Sequence, residues 1–202
     1  MNQLYILTDS NFTPPSELKN AVQEILNSGI KLIQYRNKSQ NHDINLLKWV
    51  VSLCDEFGAK LIINDDPILA VNCGAHGVHV GKEDGGVLRA REILGDKAII
   101  GASCYNDINL AIKAQNDGAS YVAFGAMFTS QTKPNAKLCD HEIVKKAKEI
   151  LSIPVCVIGG INSSNLQSVC ALKPDYIAII SAAYKPNSIT QNIVNLQNII
   201  RK

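Results

Sequence analysis

The stretch Lys31-Leu32-Ile33-Gln34-Tyr35-Arg36-Asn37-Lys38 begins as an apolar run and continues with polar side chains at every second position. These alternate polar residues are Gln34, Arg36 and Lys38. Because alternate side chains of a β-strand point to the same side, an extended segment here aims an amide and two cations at one place. Ile33 and Tyr35 then pack on the opposite side. The pattern predicts a buried strand whose end forms an anion-binding wall.

Short apolar runs of the same kind, rich in Val and Ile, recur along the chain and are typical of buried parallel strands. We predict strands over Leu4–Thr8, Lys31–Arg36, Lys60–Ile63, Gly77–Val80, Ala98–Gly101, Tyr121–Phe124, Pro154–Ile158 and Tyr176–Ile180. Amphipathic segments between them predict helices near Ser16–Ser28, His42–Phe57, Pro67–Asn72, Gly86–Leu94, Asn106–Asp117, His141–Leu151, Ser164–Ala171 and Ile189–Ile200. Candidate helix N-caps are Ser16, Asn106 and either Ser163 or Ser164.

The alternation of strands and helices favours an α/β fold, a (β/α)8 TIM barrel with a single domain over residues 1–202. An open doubly wound sheet is the alternative, and it predicts a glycine-rich loop after the first strand. That strand ends instead in Leu7-Thr8-Asp9. The closed barrel is therefore the better interpretation.

The composition is that of an ordinary globular chain of 202 residues, with 46% hydrophobic residues, 19% charged residues and a formal net charge of +2. This charge is too small to indicate binding to nucleic acid or to a membrane surface. No segment approaches the roughly 20 apolar residues of a membrane span. Met1-Asn2-Gln3 has no basic character, so we expect no signal peptide. The six cysteines lack CxxC pairs, which predicts reduced, mostly buried thiols in a cytoplasmic protein.

Function gathers at the carboxyl ends of the strands in a (β/α)8 barrel, so these positions hold the candidate site residues. Polar residues or glycines follow nearly every predicted strand. They are Gln34, Arg36 and Lys38; Asn64, Asp65 and Asp66; Gly81 to Asp84; Ser103; Phe128 to Lys133; Gly159 to Asn162; and Ser181.

Asp65 and Asp84 follow neighbouring strands, so their carboxylates are expected to converge. Two carboxylates beside phosphate oxygens suit Mg²⁺, which prefers oxygen ligands and keeps several waters. For either aspartate alone, a helix N-cap or a solvated acid is an equally good interpretation. The pair is a candidate Mg²⁺ site.

The last two strand ends form a second candidate anion site. Gly159 and Gly160 allow backbone amides to approach an anion closely, and Ser181 precedes a short helical turn. Loops after the seventh and eighth strands often hold a phosphate in this fold. A tight turn with a capping serine is the alternative interpretation.

A long loop after the sixth strand carries Ser130, Thr132 and Lys133, and its length indicates a functional loop rather than a bare connection. His79 lies in an apolar strand and is interpreted as a packed core histidine. Trp49 is interpreted as a core or helix-packing residue.

Taken together and in order, these segments resemble the thiamin phosphate synthase family along essentially the whole chain. The matching segments are Leu4–Asp9, Ile33–Lys38, Leu61–Asp65, Gly77–Asp84, Ile100–Ser103, Tyr121–Lys133, Ile158–Ile161 and Ile180–Ala182. The Gln-x-Arg-x-Lys, Asn-Asp and Thr-Lys elements are specific in combination, although none is specific alone.

The family joins an aminopyrimidine methyl diphosphate to a thiazole phosphate and releases diphosphate. The resemblance implies a transferase with Mg²⁺ as cofactor, held by Asp65 and Asp84. The implied residues for the pyrimidine diphosphate are Gln34, Tyr35, Arg36, Asn37, Lys38, Asn64, Ser103 and Lys133. Those implied for the thiazole phosphate are Ser130, Gln131, Thr132, Gly160, Ile180 and Ser181. Within these sets, the implied catalytic residues are Arg36, Lys38, Ser103 and Lys133.

Several positions depart from the family pattern. Thr129-Ser130-Gln131-Thr132-Lys133 stands where Pro-Thr-x-Thr-Lys is usual, and serine preserves the hydroxyl. Lys82, Tyr105 and His76 stand where the family has Gln, His and Asp. These departures bear on substrate affinity and loop detail more than on reaction class.

Two other functions compete with the synthase. The related thiazole tautomerase-like branch is an isomerase on the same barrel, which needs the thiazole phosphate site but neither the cationic wall nor the metal pair. Arg36, Lys38 and Lys133, together with the two aspartates, favour the synthase. A non-catalytic sensor of phosphate metabolites has no fused DNA-binding segment to support it. The oligomeric state, including a homo-oligomer, stays open, as does the presence of a carboxylate on the thiazole.

Overall fold

The computed structural model describes residues 2–38, 41–81, 84–129 and 137–201. The strands are β1 (Gln3–Leu7), β2 (Leu32–Tyr35), β3 (Lys60–Asn64), β4 (Gly77–Val80), β5 (Ile99–Tyr105), β6 (Tyr121–Phe124), β7 (Val155–Ile158) and β8 (Tyr176–Ile179). The helices are α1 (Leu18–Asn27), α2 (Ile44–Glu56), α3 (Pro67–Cys73), α4 (Gly86–Leu94), α5 (Ile108–Asn116), α6 (His141–Ile150), α7 (Leu166–Cys170), α8 (Ser181–Tyr184) and α9 (Ile189–Ile200).

The sheet is a closed, all-parallel barrel in which every strand pairs with its neighbours in chain order. Closure is made by β1 and β8, which run parallel from the pair Gln3 and Tyr176 to the pair Ile6 and Ile179. The predicted (β/α)8 barrel is therefore confirmed, and the open doubly wound alternative is wrong. The short helix α8 lies between β8 and α9 and matches the helical turn expected near Ser181.

Alternation along the strands divides the core into two layers. In β1, Leu4 and Ile6 belong to the layer between strands and helices, whereas Tyr5 and Leu7 belong to the barrel interior. The strand β2 repeats this division, because Ile33 packs among the helices. The period of two follows from the pleat of a strand, and it places every second side chain inside the barrel.

Helix starts are fixed by local capping, mostly by aspartate. The carboxylates of Asp43, Asp66, Asp107 and Asp140 accept hydrogen bonds from amides in the first turns of α2, α3, α5 and α6. Such caps are each worth about 1 kcal/mol, because the first amides of a helix have no partner within it. The first turns of α3 and α5 thus begin directly behind the strand ends that form the site.

The predicted caps at Ser16, Asn106 and Ser163 or Ser164 are wrong. Helix α1 follows Glu17 and α7 follows Asn165, in both cases without a side-chain cap. Asn106 instead accepts a hydrogen bond from the backbone amide of Asp140, 2.9 Å away. Its neighbour Asp107 has the shorter reach to the amides of α5.

All six cysteines are free, and five of them are buried, which agrees with the expected reduced thiols. Burial raises the pKa of the Cys104 thiol to about 12 and that of the Cys139 thiol to about 11. Such thiols stay protonated at neutral pH and are poor nucleophiles. In the described part of the chain, every helix is too short or too polar to cross a membrane.

Candidate active site

The carboxyl ends of the strands open into a cavity of about 580 Å³. All eight strands contribute to its lining, which combines polar groups with an apolar wall that includes Leu7, Ala123, Ile158 and Ala178. A volume of this size is typical of small-molecule sites, and this end of the barrel is where such sites occur. We call this space the mouth cavity.

The polar residues at the end of β2 and just after it divide between the two faces of the barrel wall. Gln34 and Arg36 line the mouth cavity, whereas Lys38 is exposed beyond it. The side chain of Tyr35 packs in the outer layer, and its hydroxyl lies 3.2 Å from both His42 Nδ1 and Asn37 Nδ2. The structure therefore brings Gln34 and Arg36 together and places the side chains of Tyr35 and Asn37 elsewhere.

Arg36 is held by a buried carboxylate that the sequence analysis did not select. Its Nη1 donates to Asp9 Oδ2 at 2.6 Å, and the whole Asp9 residue is only 4% exposed. The Arg36 amide also donates to Thr8 Oγ1 at 2.9 Å. The available signal was an acidic residue two positions after β1, the strand that pairs with β2. This ion pair fixes where the guanidinium can meet an anion.

The carboxyl groups of Asp65 and Asp84 lie close enough for Asp84 to raise the pKa of Asp65, so the predicted convergence is present. Burial, followed by the charge of Asp84, raises the pKa of Asp65, while the nearby Arg36 and the Asn64 amide act to lower it. Asp84 Oδ2 accepts from the Gly81 amide at 2.6 Å. Asp65 itself has a φ of 65°, which aims its side chain away from the path of β3.

Two carboxylates that repel each other close to Arg36 and Asn64, which line the mouth cavity, fit a hard divalent cation with oxygen ligands. Among the residues that the structure describes, no group of three or more His, Cys, Asp or Glu side chains could hold a metal. A cation at Asp65 and Asp84 would thus keep coordination positions for water or phosphate, which is how Mg²⁺ is commonly bound.

A continuous line of polar side chains crosses the floor of the mouth cavity. Gln34 Nε2 donates to the Tyr5 hydroxyl at 2.8 Å, and that hydroxyl lies 2.9 Å from the hydroxyl of Tyr121. Tyr121 in turn lies 2.9 Å from His79 Nδ1, and His79 Nε2 lies 2.9 Å from Ser103 Oγ. We call these five residues the interior hydrogen-bond chain. His79 is buried as predicted, but its partners are the polar groups of the site.

Gly101 makes room for the interior hydrogen-bond chain. A Cβ built at this position would overlap the ring of Tyr121 and fall 2.5 Å from His79 Nδ1. Ser103 lies two residues further along β5, inside the strand rather than after it, because β5 extends to Tyr105. The pairing of β5 with β6 shifts register between Ser103 and Tyr105.

Gly159 and Gly160 follow β7 with φ angles of 106° and 64°, where glycine is favoured. A Cβ at Gly160 would press on the backbone after β6, 2.7 Å from the Phe128 oxygen. Gly159 and Ile180 line the mouth cavity, and Ser181 begins α8 beside them. The predicted residues Ser130, Gln131, Thr132 and Lys133 lie outside the described residues.

The rim of the mouth cavity is lined by three further residues, which were not predicted as site residues. They are Asn106, Asp107 and Lys137. Of the departures from the family pattern, Tyr105 also lines the cavity, with a φ of 53°. His76 bonds to the Leu61 amide and to Asp55, far from the cavity, and Lys82 lies outside the described residues.

Comparison with known proteins gives a consistent result. The family model for thiamine monophosphate synthase matches residues 4–183. The thiamine-phosphate synthase of Nitrosococcus oceani is 42% identical over 188 residues, which cover 92% of this chain and 87% of the relative. That of Halorhodospira halophila is 41% identical over 173 residues, 85% of this chain and 83% of the relative.

The structure agrees with the sequence matches. The thiamine phosphate pyrophosphorylase of Pyrococcus furiosus superposes with a TM-score of 0.85 at 32% identity, covering 98% of this chain and 95% of that one. The expected transferase family is confirmed, and this chain belongs to the thiamine monophosphate synthase family.

Proposed function

We propose that this protein joins an aminopyrimidine methyl diphosphate to a thiazole phosphate, giving thiamin phosphate and diphosphate. The observation that carries the proposal is that Arg36, which lines the mouth cavity, lies close to the pair Asp65 and Asp84. Arg36 is near enough to Asp65 to lower the pKa of its carboxyl group, against the larger effects of burial and Asp84. A cation and a candidate metal site therefore flank one place, as a diphosphate requires.

The reaction breaks the bond between the pyrimidine methyl carbon and the diphosphate oxygen, and the electron pair leaves with the diphosphate. The thiazole nitrogen then forms a new bond to that carbon. The pyrimidine ring spreads the positive charge left behind, so no protein nucleophile is needed. What the protein must supply is stabilisation of the departing negative charge, often the largest single catalytic effect.

Arg36 would contact the diphosphate with a guanidinium already oriented by Asp9, which reduces the entropy lost on binding. Lys38 would add a second cation at the rim, and the sequence places Lys133 in the loop after β6. Asn64 and Ser103 offer polar groups on the cavity wall. The apolar residues deeper in the cavity would exclude water from the reacting carbon.

Asp65 and Asp84 would hold Mg²⁺, which when bound would supply positive charge for the phosphate oxygens of the leaving group. The donor set fits this ion because both ligands are carboxylates and because their mutual repulsion would be relieved. Gly159, Gly160, Ile180 and Ser181 would hold the thiazole phosphate at the opposite side of the cavity.

The proposal is tested with purified protein, Mg²⁺ and both substrates, following products by chromatography. We expect thiamin phosphate and diphosphate in equal amounts, with no product when either substrate is omitted. A parallel assay follows isomerisation of the carboxylated thiazole phosphate alone. A positive result there, with no thiamin phosphate in the first assay, would assign the chain to the tautomerase reaction.

A further inference from the structure

The interior hydrogen-bond chain has a single direction once the Gln34 amide is fixed. An amide nitrogen can only donate, so the Tyr5 oxygen accepts from Gln34 Nε2 at 2.8 Å. The other neighbour of that oxygen is Tyr121, so the Tyr5 proton must be donated to Tyr121 at 2.9 Å. The Tyr121 proton can then only be donated to His79 Nδ1.

This ordering decides the state of the imidazole. Because Nδ1 accepts, the ring proton of His79 lies on Nε2, which donates to Ser103 Oγ at 2.9 Å. The Ser103 oxygen already accepts, so its own proton is left for a ligand in the mouth cavity. The protons of Tyr5, Tyr121 and His79 Nε2 thus each have one acceptor within the interior hydrogen-bond chain, and the donor left at its far end is the Ser103 hydroxyl.

The Gln34 end of the interior hydrogen-bond chain offers an acceptor rather than a donor. Gln34 uses its nitrogen on Tyr5, which leaves Oε1 as an acceptor. In the described residues no buried side-chain nitrogen or oxygen lacks a hydrogen-bond partner. Oε1 has no hydrogen bond to another described residue, so it faces the open cavity that Gln34 lines. The floor therefore shows an acceptor at Gln34 and a donor at Ser103.

We propose that Tyr121 is a positioning residue that, through His79, makes Ser103 a hydrogen-bond donor while Tyr5 keeps Gln34 an acceptor. Tyr121 is only 1% exposed and is not among the residues that line the mouth cavity, so it can act without touching the substrate. The arrangement selects a ligand with a donor near Gln34 and an acceptor near Ser103. The substrate part of this inference rests on the proposed function, since an aminopyrimidine diphosphate offers an amino donor and ring or phosphate acceptors.

All hydrogen bonds of the interior hydrogen-bond chain must run in the same direction. If Ser103 donated to His79 Nε2 instead of accepting from it, the His79 proton would have to move to Nδ1. Both tyrosine hydroxyls would then have to turn, and the Gln34 amide would have to flip. The donor at one end and the acceptor at the other are therefore coupled, although Gln34 and Ser103 lie on strands β2 and β5. The hydroxyl of Tyr121 is the link that transmits this coupling.

The first measurement is ¹⁵N NMR of the imidazole rings, which needs no substrate. The chain has four histidines, and a His79→Gln spectrum assigns the His79 signal. We expect the wild-type proton on Nε2, and a mixture of tautomers in Tyr121→Phe because Nδ1 then loses its donor. The matched control is Tyr176→Phe, whose ring lies 5.7 Å from Tyr121 in the same inner cluster.

The second measurement is steady-state kinetics of the same variants. Tyr121→Phe should lower kcat about tenfold, with the KM for the thiazole phosphate unchanged, whereas Tyr176→Phe should stay within about twofold of wild type. Tyr5→Phe removes the hydrogen bonds of Tyr5 to Gln34 and Tyr121 and leaves those of His79 in place. It should keep the Nε2 proton and raise the KM for the pyrimidine diphosphate.

A wild-type proton on Nδ1, or a Tyr121→Phe turnover equal to that of Tyr176→Phe, would overturn the inference. If Tyr121→Phe fails to fold, an unchanged KM in Tyr5→Phe overturns it instead. Absence of thiamin phosphate from the wild-type protein would defeat the proposed function, yet the tautomer result would still stand by itself.

Discussion

Asp65→Asn is expected to lower turnover by about a hundredfold or more, because it removes one of the two carboxylates proposed to hold Mg²⁺. The fold should be unaffected. Asparagine tolerates the φ of 65° at this position and keeps the shape of the side chain. Steady-state kcat at saturating Mg²⁺ and thermal unfolding followed by circular dichroism provide the two readouts.

The pKa of Asp65 gives the sign of the stability change. Burial and the charge of Asp84 raise that pKa above its ordinary value of 3.8, so the folded protein binds this proton more tightly than the unfolded chain. The ionised pair therefore opposes folding at neutral pH, and the opposition disappears as the pH falls through the raised pKa. Neutral asparagine removes it, so the metal-free variant should unfold no earlier than wild type.

The neighbouring aspartate supplies the matched control. Asp66 caps α3 by accepting from the Leu69 amide at 2.8 Å. Asp66→Ala should therefore cost about 1 kcal/mol of stability and leave turnover near wild type. An Asp65→Asn turnover within about twofold of wild type would remove Asp65 from the catalytic site.

Arg36→Met is expected to damage both turnover and stability. Losing the guanidinium removes positive charge from the departing diphosphate, which should cost about a hundredfold in rate. It also leaves Asp9 unpaired, with a side chain only 5% exposed. Removing one partner of such a buried pair typically costs about 3–5 kcal/mol.

The double variant Asp9→Asn with Arg36→Met separates the two effects. It removes both charges, so most of the stability should return, measured as the free energy of unfolding in urea. Turnover should remain as low as in Arg36→Met, because the diphosphate contact is still missing. A double variant with recovered turnover would show that Arg36 acts on folding alone.

The barrel could be predicted because its determinants are local. Strands such as Gly77–Val80 and Tyr121–Phe124 are apolar runs bounded by turn residues, and the structure keeps both as predicted. The helices follow the amphipathic segments, with errors at the caps. Those errors arose where two polar residues stood side by side, as Asn106 and Asp107 do, and the geometry of the first turn selected one.

For the candidate site, the sequence allowed prediction only of residues that stand at the ends of single strands. Asp65, Asp84 and Arg36 all follow apolar runs, and their shared place at the carboxyl ends of the strands, rather than any one charge alone, indicated a site. The pairing of Arg36 with Asp9 depends on the register of β1 against β2, which the sequence does not encode locally. Tyr5 and Tyr121 are separated by 116 positions and meet only because the barrel closes.

We propose that a diphosphate clamp forms at the mouth cavity, with a cationic half at Arg36 and a metal half at Asp65 and Asp84. Isothermal titration calorimetry with inorganic diphosphate tests it most directly. We expect binding to the wild-type protein only when Mg²⁺ is present, and loss of binding in both Arg36→Met and Asp65→Asn. Equal binding with and without Mg²⁺, or undiminished binding by both variants, would contradict it.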